Sequence, residues 1–484
     1  MPRGCSPVAE LRLARLARAH TALLRAVAPL APTSGAVVVG GTVRDAMLGR
    51  SPMDIDLAVP SGAIDLAQRC AERLGGTCVV LDAERGAARV VAGGWTLDVA
   101  DFRAPTLEAD LAARDFTVNA LAAPLAALVR RGRASIIDPT GGLADLRARR
   151  LRPPGPGVLA DDPLRALRAV RLEATLGFRL TRAGATAVTA AAPGLAQVSA
   201  ERVREELLAL LALADSARAL RRADALGVLT VVLPEIEPMR ATPQPAPHRF
   251  PVLEHSLRAV AGCDRLLPRL AALTPYGEEL AAHVAEPLGG GLTRATTLKL
   301  AALLHDVSKP ETRRRIRGRV RFFEHDVIGA GRARAIGQRL KMPERAIAVV
   351  ERLVRHHLRP MHLASATSVT ARARYRFYRD LREDTRDLLL LVLVDAAAVT
   401  GASPVSVWRR SPLLRELMRG WAEQRVTQSA PPLLRGEDVM ARFRLEPGPR
   451  VGWLLAQARE AQDLGRVGSR EEALAYLDSL VAGP

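Results

Sequence analysis

The sequence predicts an α+β segment at the N-terminal end and a long all-α body behind it. Three observations carry this reading. Short β-branched runs are confined to residues 35–150. The stretch Arg152-Pro153-Pro154-Gly155-Pro156-Gly157 is a strong linker signal. Beyond it, Leu, Ala and Val recur three and four residues apart almost to the end, the spacing of one helix face. With 484 residues the chain is too long for one compact core, and two to four domains are expected.

Taken in order, Leu11, Leu13, Leu16, Leu23 and Leu24 stand at helical spacing and predict a surface helix packed on the first domain. No apolar stretch with a small-residue cleavage site accompanies them, which argues against a secretory signal. Ala36-Val37-Val38-Val39, ending in Gly40-Gly41, reads as a strand. So do Thr77–Leu81, Ala88–Val91 and Trp95–Val99. Further Pro-rich breaks lie at Ala241–Pro247 and Ala430-Pro431-Pro432. No clean internal repeat is present. The expected domains are 1–152, 153–245, 246–420 and a helical tail, 421–484.

Hydrophobic residues make up 48% of the chain, enough to build cores. No uncharged apolar run reaches the roughly 18 residues of a membrane span. The net charge is +19, from 70 basic and 51 acidic residues, and favours a polyanionic partner. Aromatics are only 3%, so phosphate contacts by Arg fit better than an aromatic stacking platform. Cys5, Cys70, Cys78 and Cys263 form no CxxC pair, which argues against zinc knuckles and disulfides and fits a reducing cytoplasm.

Asp54-Ile55-Asp56 is the pivotal triplet. In a strand, positions i and i+2 face one side, so both carboxylates project together. Such a pair repels unless a cation lies between, and hard oxygen ligands suit Mg²⁺. Two metal ions held there can activate an attacking hydroxyl and stabilise departing pyrophosphate. Upstream, Gly40-Gly41 before a helix start exposes backbone N–H groups to a phosphate, and Arg44 adds charge. A third carboxylate comes from Asp98 or Asp101; Asp98 is preferred because it alternates with Leu97 and Val99.

Gly40-Gly41-Thr42-Val43-Arg44-Asp45 followed by Asp54-Ile55-Asp56-Leu57 resembles motif A of the bacterial class II CCA-adding enzymes and poly(A) polymerases, within the polymerase-β nucleotidyltransferase superfamily. Arg114-Asp115-Phe116-Thr117-Val118-Asn119-Ala120 is similar to their motif B. The resemblance implies that Arg114, Asp115 and Asn119 handle the ribose and phosphates of the incoming nucleotide; Ala113 stands where the family has a basic residue. Asp138-Pro139 with Gly142–Leu146 looks like the motif closing the head. The resemblance also implies a flexible loop that switches C to A addition between Asp56 and Arg114, around Asp82 to Gly94.

Asp162 and Arg165, three apart, share a face at a helix start. A carboxylate acceptor beside a guanidinium donor can mimic a Watson–Crick edge. By spacing alone, Asp162 before Pro163 also reads as an N-cap, with Arg165, Arg168 and Arg171 a solvated face. The segment Asp161–Arg168 resembles the family's nucleotide-recognition helix, which assigns base choice to Asp162 and Arg165. Ser199–Glu206 looks like the later motif that supports that pocket.

Of nine histidines, only His20 precedes His248, and the other eight fall between His248 and His362. That concentration marks a metal-site candidate. His305-Asp306 after an apolar run, with His255 upstream and Asp395 downstream, resembles an HD domain, an all-helical metal phosphohydrolase fold. His325, and His357 or His356, fit additional ligand positions of that fold. Imidazole with carboxylate suits Ni²⁺ or Mn²⁺.

Together these features imply a polymerase-β-like nucleotidyltransferase head, an all-α neck and body, and an all-α HD domain. The implied activity is CCA addition to tRNA 3′ ends from CTP and ATP without a nucleic-acid template. Asp54, Asp56 and Asp98 bind Mg²⁺; Gly40, Gly41, Arg44, Arg114, Asp115, Asn119, Asp162, Arg165 and Arg168 bind the nucleotide. The alternatives on the same scaffold are CC-adding, A-adding or poly(A) polymerase activity, or an HD phosphohydrolase with a nucleotide-binding head.

Overall fold

The computed structural model describes residues 9–32, 35–52, 54–365, 370–427 and 431–482; Cys5 and Ala430 lie outside them. The chain separates into two compact units. One comprises Met1–Glu206 with Arg222–Val232, the other Leu207–Arg221 with Leu233–Pro484.

The first unit is built on a six-stranded sheet. Strand β1 (Val37–Val39) passes without a loop into helix α1 (Gly40–Met47), and β2 (Ile55–Val59) returns beside it. A helix over Ala63–Leu74 leads to β3 (Thr77–Asp82), β4 (Ala87–Ala92) and β5 (Trp95–Asp101), and β6 (Ala122–Pro124) completes the sheet. The spatial order is β3-β4-β5-β2-β1-β6. β2 and β5 run parallel, and the other pairings are antiparallel. Period-2 alternation sets the faces: Ile55, Leu57 and Val59 are buried, as are Leu97 and Val99, while Asp56 and Asp98 fall on the opposite side.

Two expectations are corrected here. Residues Asp82 to Gly94 form no flexible loop. They comprise the last residue of β3, a four-residue connection, strand β4 and the turn Gly93-Gly94. β4 is paired on both sides and buries Ala88, Val90 and Ala92, which fixes it in the sheet. The N-terminal helix is also broken up. Glu10–Arg12 is a short strand pairing with Arg133–Ser135, Leu13–Arg15 is one 3₁₀ turn, and the helix runs only over Arg18–Val27. Leu11 and Leu13, two apart, follow the strand period rather than the helical one; all five leucines are nonetheless buried.

The rest of the first unit is helical apart from two small strand pairs, Glu10–Arg12 with Arg133–Ser135 and Arg150–Leu151 with Arg179–Leu180; it includes α2 (Leu164–Leu176), and α3 (Ala200–Leu211) follows. The second unit is helical apart from two small antiparallel pairs. Its main elements are α4 (Val252–Leu266), α5 (Arg294–Leu304), the hairpin β7 (Arg313–Ile316) and β8 (Arg319–Phe322), α6 (His325–Arg339), α7 (Glu344–His356) and α8 (Thr385–Thr400). The middle of α8 is apolar all round because it is the central helix: Leu388 to Val394 are all buried. Each such large side chain contributes about 1.5–3 kcal/mol.

A buried ionic network ties this unit together. Arg294 donates to Asp384 and Asp387 at 2.7 Å each and to Glu286 at 2.7 Å, and His283 Nε2 lies 2.6 Å from Asp387. The tail helices Gly436–Phe443, Pro449–Asp463 and Arg470–Ala482 share a core of Val439, Leu454, Ala473 and Leu477. Among the described residues, Cys70, Cys78 and Cys263 are free thiols, and no single helix is long and apolar enough to cross a membrane.

Candidate functional site

A cleft of about 900 Å³ opens in the first unit. Gly40, Gly41, Asp56, Asp98, Arg114, Asp115, Asn119, Asp162, Arg165 and Arg168 line it. Of the residues anticipated for this site, Asp54 and Arg44 do not. Asp54 stands one residue before β2 rather than in it, so the strand geometry expected for the pair does not include it.

The floor is set by register. Asp56 and Asp98 are direct partners across the parallel β2–β5 ladder. Asp101, three residues on, also borders the cleft, but it faces no carboxylate across the ladder and accepts the Ala63 N–H at 2.8 Å. Asp98 is held bidentately by Arg89, with both contacts at 2.7 Å. Burial first, then the charges of Asp98 and Asp54, push the Asp56 carboxyl up to about 6, although Arg114 opposes them. Such a cluster of hard oxygen donors can hold a divalent cation.

The turn at Gly40-Gly41 brings backbone against these groups. Gly40 has φ +65°, and a Cβ there would lie 3.2 Å from both Asp56 Oδ2 and Arg114 Nη1. At Gly41 it would lie 3.4 Å from Asp56 Oδ2. Only glycine combines that left-handed backbone with so close an approach. Thr42 does not cap α1. Its hydroxyl accepts the Asp56 N–H at 2.8 Å and donates to the Asp54 carbonyl at 3.3 Å, tying helix to strand.

Arg44 is turned inward to its neighbour Asp45, at 2.8 and 2.9 Å, and to Asn119 Oδ1 at 2.6 Å. Asn119 in turn donates to Asp115 at 2.9 Å, and the Phe116 N–H to the same oxygen at 2.8 Å. Burial raises the Asp115 carboxyl, but Arg168 at 3.6 Å and these donors outweigh it and hold the group below its ordinary range. Arg114 donates to the buried Asp110 at 3.1 Å.

Asp162 ends a short helix, Val158–Asp161, and its side chain caps nothing. It accepts from Arg202 at 2.8 Å and lies 3.9 Å from Arg165 Nε. Arg165 is buried and donates to the Val158 carbonyl at 2.9 Å. Arg168 and Arg171 are not a solvated face, because both bond the buried Glu206, at 3.0 and 2.6 Å. Sequence reasoning missed Thr42, Arg89 and Asp110. Only Asp110 carried a local signal, its i,i+4 spacing to Arg114.

The second unit gathers the six anticipated metal-site residues. His255, His305 and Asp395 form one group that could hold a metal ion, and Asp306, His325 and His357 form another. His357, and not His356, belongs to it. The His305 and His357 Nδ1 atoms lie 3.0 and 2.7 Å from the carbonyls of Ala302 and Val354, and His325 Nδ1 lies 2.8 Å from that of Phe322. A carbonyl can only accept, so Nδ1 carries the proton and, in the neutral ring, Nε2 presents a lone pair.

His255 Nε2, His305 Nε2, His325 Nε2, Asp306 Oδ1 and Asp395 Oδ1 are buried without a hydrogen-bond partner. His255 Nε2 and Asp395 Oδ1 are 2.9 Å apart but not in hydrogen-bonding geometry. Burial and His305 push His357 down to about 4, which leaves it neutral near pH 7. Converging, desolvated lone pairs of this kind are what a cation satisfies. Lys309, unremarked in the sequence, donates to Asp306 at 2.6 Å.

Three family models match the chain: the poly A polymerase head domain over residues 36–152, the probable RNA and SrmB-binding site of polymerase A over 177–240, and the HD domain over 252–399. An A-adding tRNA nucleotidyltransferase of Deinococcus radiodurans is 38% identical, over 93% of this chain and 96% of its own. A CC-adding tRNA nucleotidyltransferase of Thermus thermophilus is 37% identical, over 93% and 94%. A solved complex of a CCA-adding enzyme with ATP shares the fold, with a TM-score of 0.62 at 20% identity over 98% of this chain and 96% of its own.

Proposed function

The chain belongs to the bacterial tRNA nucleotidyltransferase family, and from that premise we propose that it builds the CCA end of tRNA from CTP and ATP without a nucleic-acid template. The observation that supports this best is the Asp56–Asp98 pair on the floor of a cleft whose wall carries Asp162, Arg165 and Arg202. Burial, with the charge of Asp98 beside it, raises Asp56 to about 6; a bound cation relieves both, and oxygen donors alone favour Mg²⁺. When bound, the metal supplies a lowered pKa for the tRNA 3′-hydroxyl and counter-charge for pyrophosphate.

The chain's own residues do the rest of the work. Asp56 and Asp98, with Asp54 beside them, define where the metal sits. The Gly40-Gly41 backbone and Arg114 border the triphosphate, while Asp115 and Asn119 orient the nucleotide; Arg44 acts through Asn119. The tRNA 3′-oxygen attacks the α-phosphorus, the bond to the β-phosphate oxygen breaks, and pyrophosphate leaves with that electron pair. Asp162, held by Arg202, offers an acceptor beside the Arg165 and Arg168 donors, and this edge selects the base. His255, His305, Asp306, His325, His357 and Asp395 hold a transition metal such as Ni²⁺ or Mn²⁺ in an HD centre of the phosphohydrolase type.

A second reading, addition of CC only or A only, is favoured by the β3–β4 hairpin standing where the family's switching loop is expected. The test is end addition with Mg²⁺, CTP and ATP on three tRNA transcripts: one lacking the CCA end, one ending in a single C, and one ending in both. Extension of all three to CCA supports the first reading. A stop after CC, or A added only to the CC-ended transcript, supports the second; long A tails on any RNA overturn both.

A further inference from the structure

Between the metal-site residues Asp306 and His325 the chain leaves the helical unit as the hairpin β7–β8. Six of its nine residues from Arg313 to Arg321 are arginines: 313, 314, 315, 317, 319 and 321. All six are exposed, and none is ion-paired among the described residues. The adjoining Glu311 is already engaged by Arg332 at 2.9 Å.

Pairing puts Arg314 directly opposite Arg321 and Ile316 opposite Arg319, so one face carries three guanidinium groups. Like charges directly opposite are destabilising in an isolated ribbon. The two-residue turn Arg317-Gly318 has φ +48° and +78°, and an Arg occupies the place where Asn, Asp or Gly costs less. The hairpin therefore keeps its charge at the expense of its own stability. The opposite face is anchored: the Phe322 ring lies 6.4 Å from that of His325, and Lys309 Nζ lies 5.5 Å from the Phe322 centroid. Phe323, immediately after β8, is 56% exposed.

We propose that this hairpin is a binding arm for single-stranded RNA. Arg314, Arg319 and Arg321 take consecutive backbone phosphates, and Phe323 offers a ring on which an unpaired base stacks. Arg forks match phosphate geometry, and an adjacent exposed ring is the other half of single-strand recognition. An acidic membrane surface would use the charge and the ring as well, and the vesicle arm of the experiment separates the two. The binding proposal rests on the hairpin alone and stands whether or not the HD centre hydrolyses anything.

The experiment uses the full chain with an end-labelled, unstructured RNA 12-mer, following anisotropy from low to moderate KCl. In the triple variant Arg314→Gln, Arg319→Gln, Arg321→Gln, affinity at low salt falls at least tenfold. The log–log salt slope shrinks by about 2, three contacts at roughly 0.7 each. The triple Arg→Lys variant keeps the slope, which separates charge from folding. Phe323→Ala weakens binding about fivefold or more with the slope unchanged. Unchanged affinity and slope in the Gln triple variant, with its melting curve intact, overturn the proposal. So does loss of binding to phosphatidylserine vesicles alone, with RNA binding retained.

Discussion

Replacing Asp56 by Asn is expected to make the protein more stable and inactive at once. The carboxyl is raised from 3.8 to about 6 by burial and by Asp98 and Asp54. At about 1.36 kcal/mol per pH unit, holding it ionised at pH 8 costs roughly 3 kcal/mol. Asn removes the charge and keeps the shape, and the Thr42 contact is to the backbone, so it survives. The penalty is complete above the folded value and absent below the unfolded one. The native state binds the extra proton between them, so wild-type stability rises as pH falls from 6 towards 4. Urea unfolding in EDTA should show Asp56→Asn more stable by about 1–3 kcal/mol at pH 8 and little different at pH 4. Adding Mg²⁺ at pH 8 should narrow the gap by stabilising only the wild type. A variant less stable than wild type at pH 8 would refute the argument, as would an advantage that persists at pH 4.

Other perturbations follow from the same geometry. Gly40→Ala must adopt φ +65° against Asp56 and Arg114; it should cost about 1–2 kcal/mol and depress incorporation of CTP and ATP alike, measured by primer extension. Arg202→Ala frees Asp162 and should alter the ratio of kcat/KM for CTP and ATP by roughly threefold to tenfold, whereas a purely structural role would leave the ratio fixed. Arg294→Met removes the cation shared by Asp384 and Asp387, leaving Asp384 only Arg352 and Asp387 only His283, and should destabilise the second unit by about 3–5 kcal/mol in denaturant titration. His305→Ala should lower the metal retained after dialysis, read by elemental analysis, without changing CTP incorporation into tRNA.

The α+β head was legible because its strands obey period 2 over runs long enough to count. Ala88 to Val91 and Trp95 to Val99 sit within the observed β4 and β5. The choice of Asp98 over Asp101 could be made for the same reason, since alternation with Leu97 and Val99 fixes the face before any partner strand is known. The partners were not legible. Arg89 reaches Asp98 through cross-strand register, and Thr42 reaches the β2 backbone through a turn, neither of which leaves a periodic trace. Arg44 was expected on the triphosphate because its charge was visible, but the competing Asp45 and Asn119 were not weighed with it. Leu11 and Leu13 misled because two residues at the strand period were absorbed into a longer helical pattern. For the histidine cluster, density flagged the region and the HD resemblance picked out His255, His305, Asp306, His325 and Asp395, but only the folded helix end separates His357 from His356.

The parallel β2–β5 ladder also has a consequence in time. Parallel neighbours need a long crossover, here the helix Ala63–Leu74 with the β3–β4 hairpin, before Asp56 can meet Asp98. Their repulsion is thus missing from every conformation in which that crossover is still open, and it acts on the finished sheet. Strain that appears after the folding barrier speeds escape from the native state more than it slows arrival. A cation seated between the two carboxylates is then a latch: it lengthens the lifetime of the closed head, and the same event that readies the protein for chemistry slows its unravelling and its cleavage by proteases.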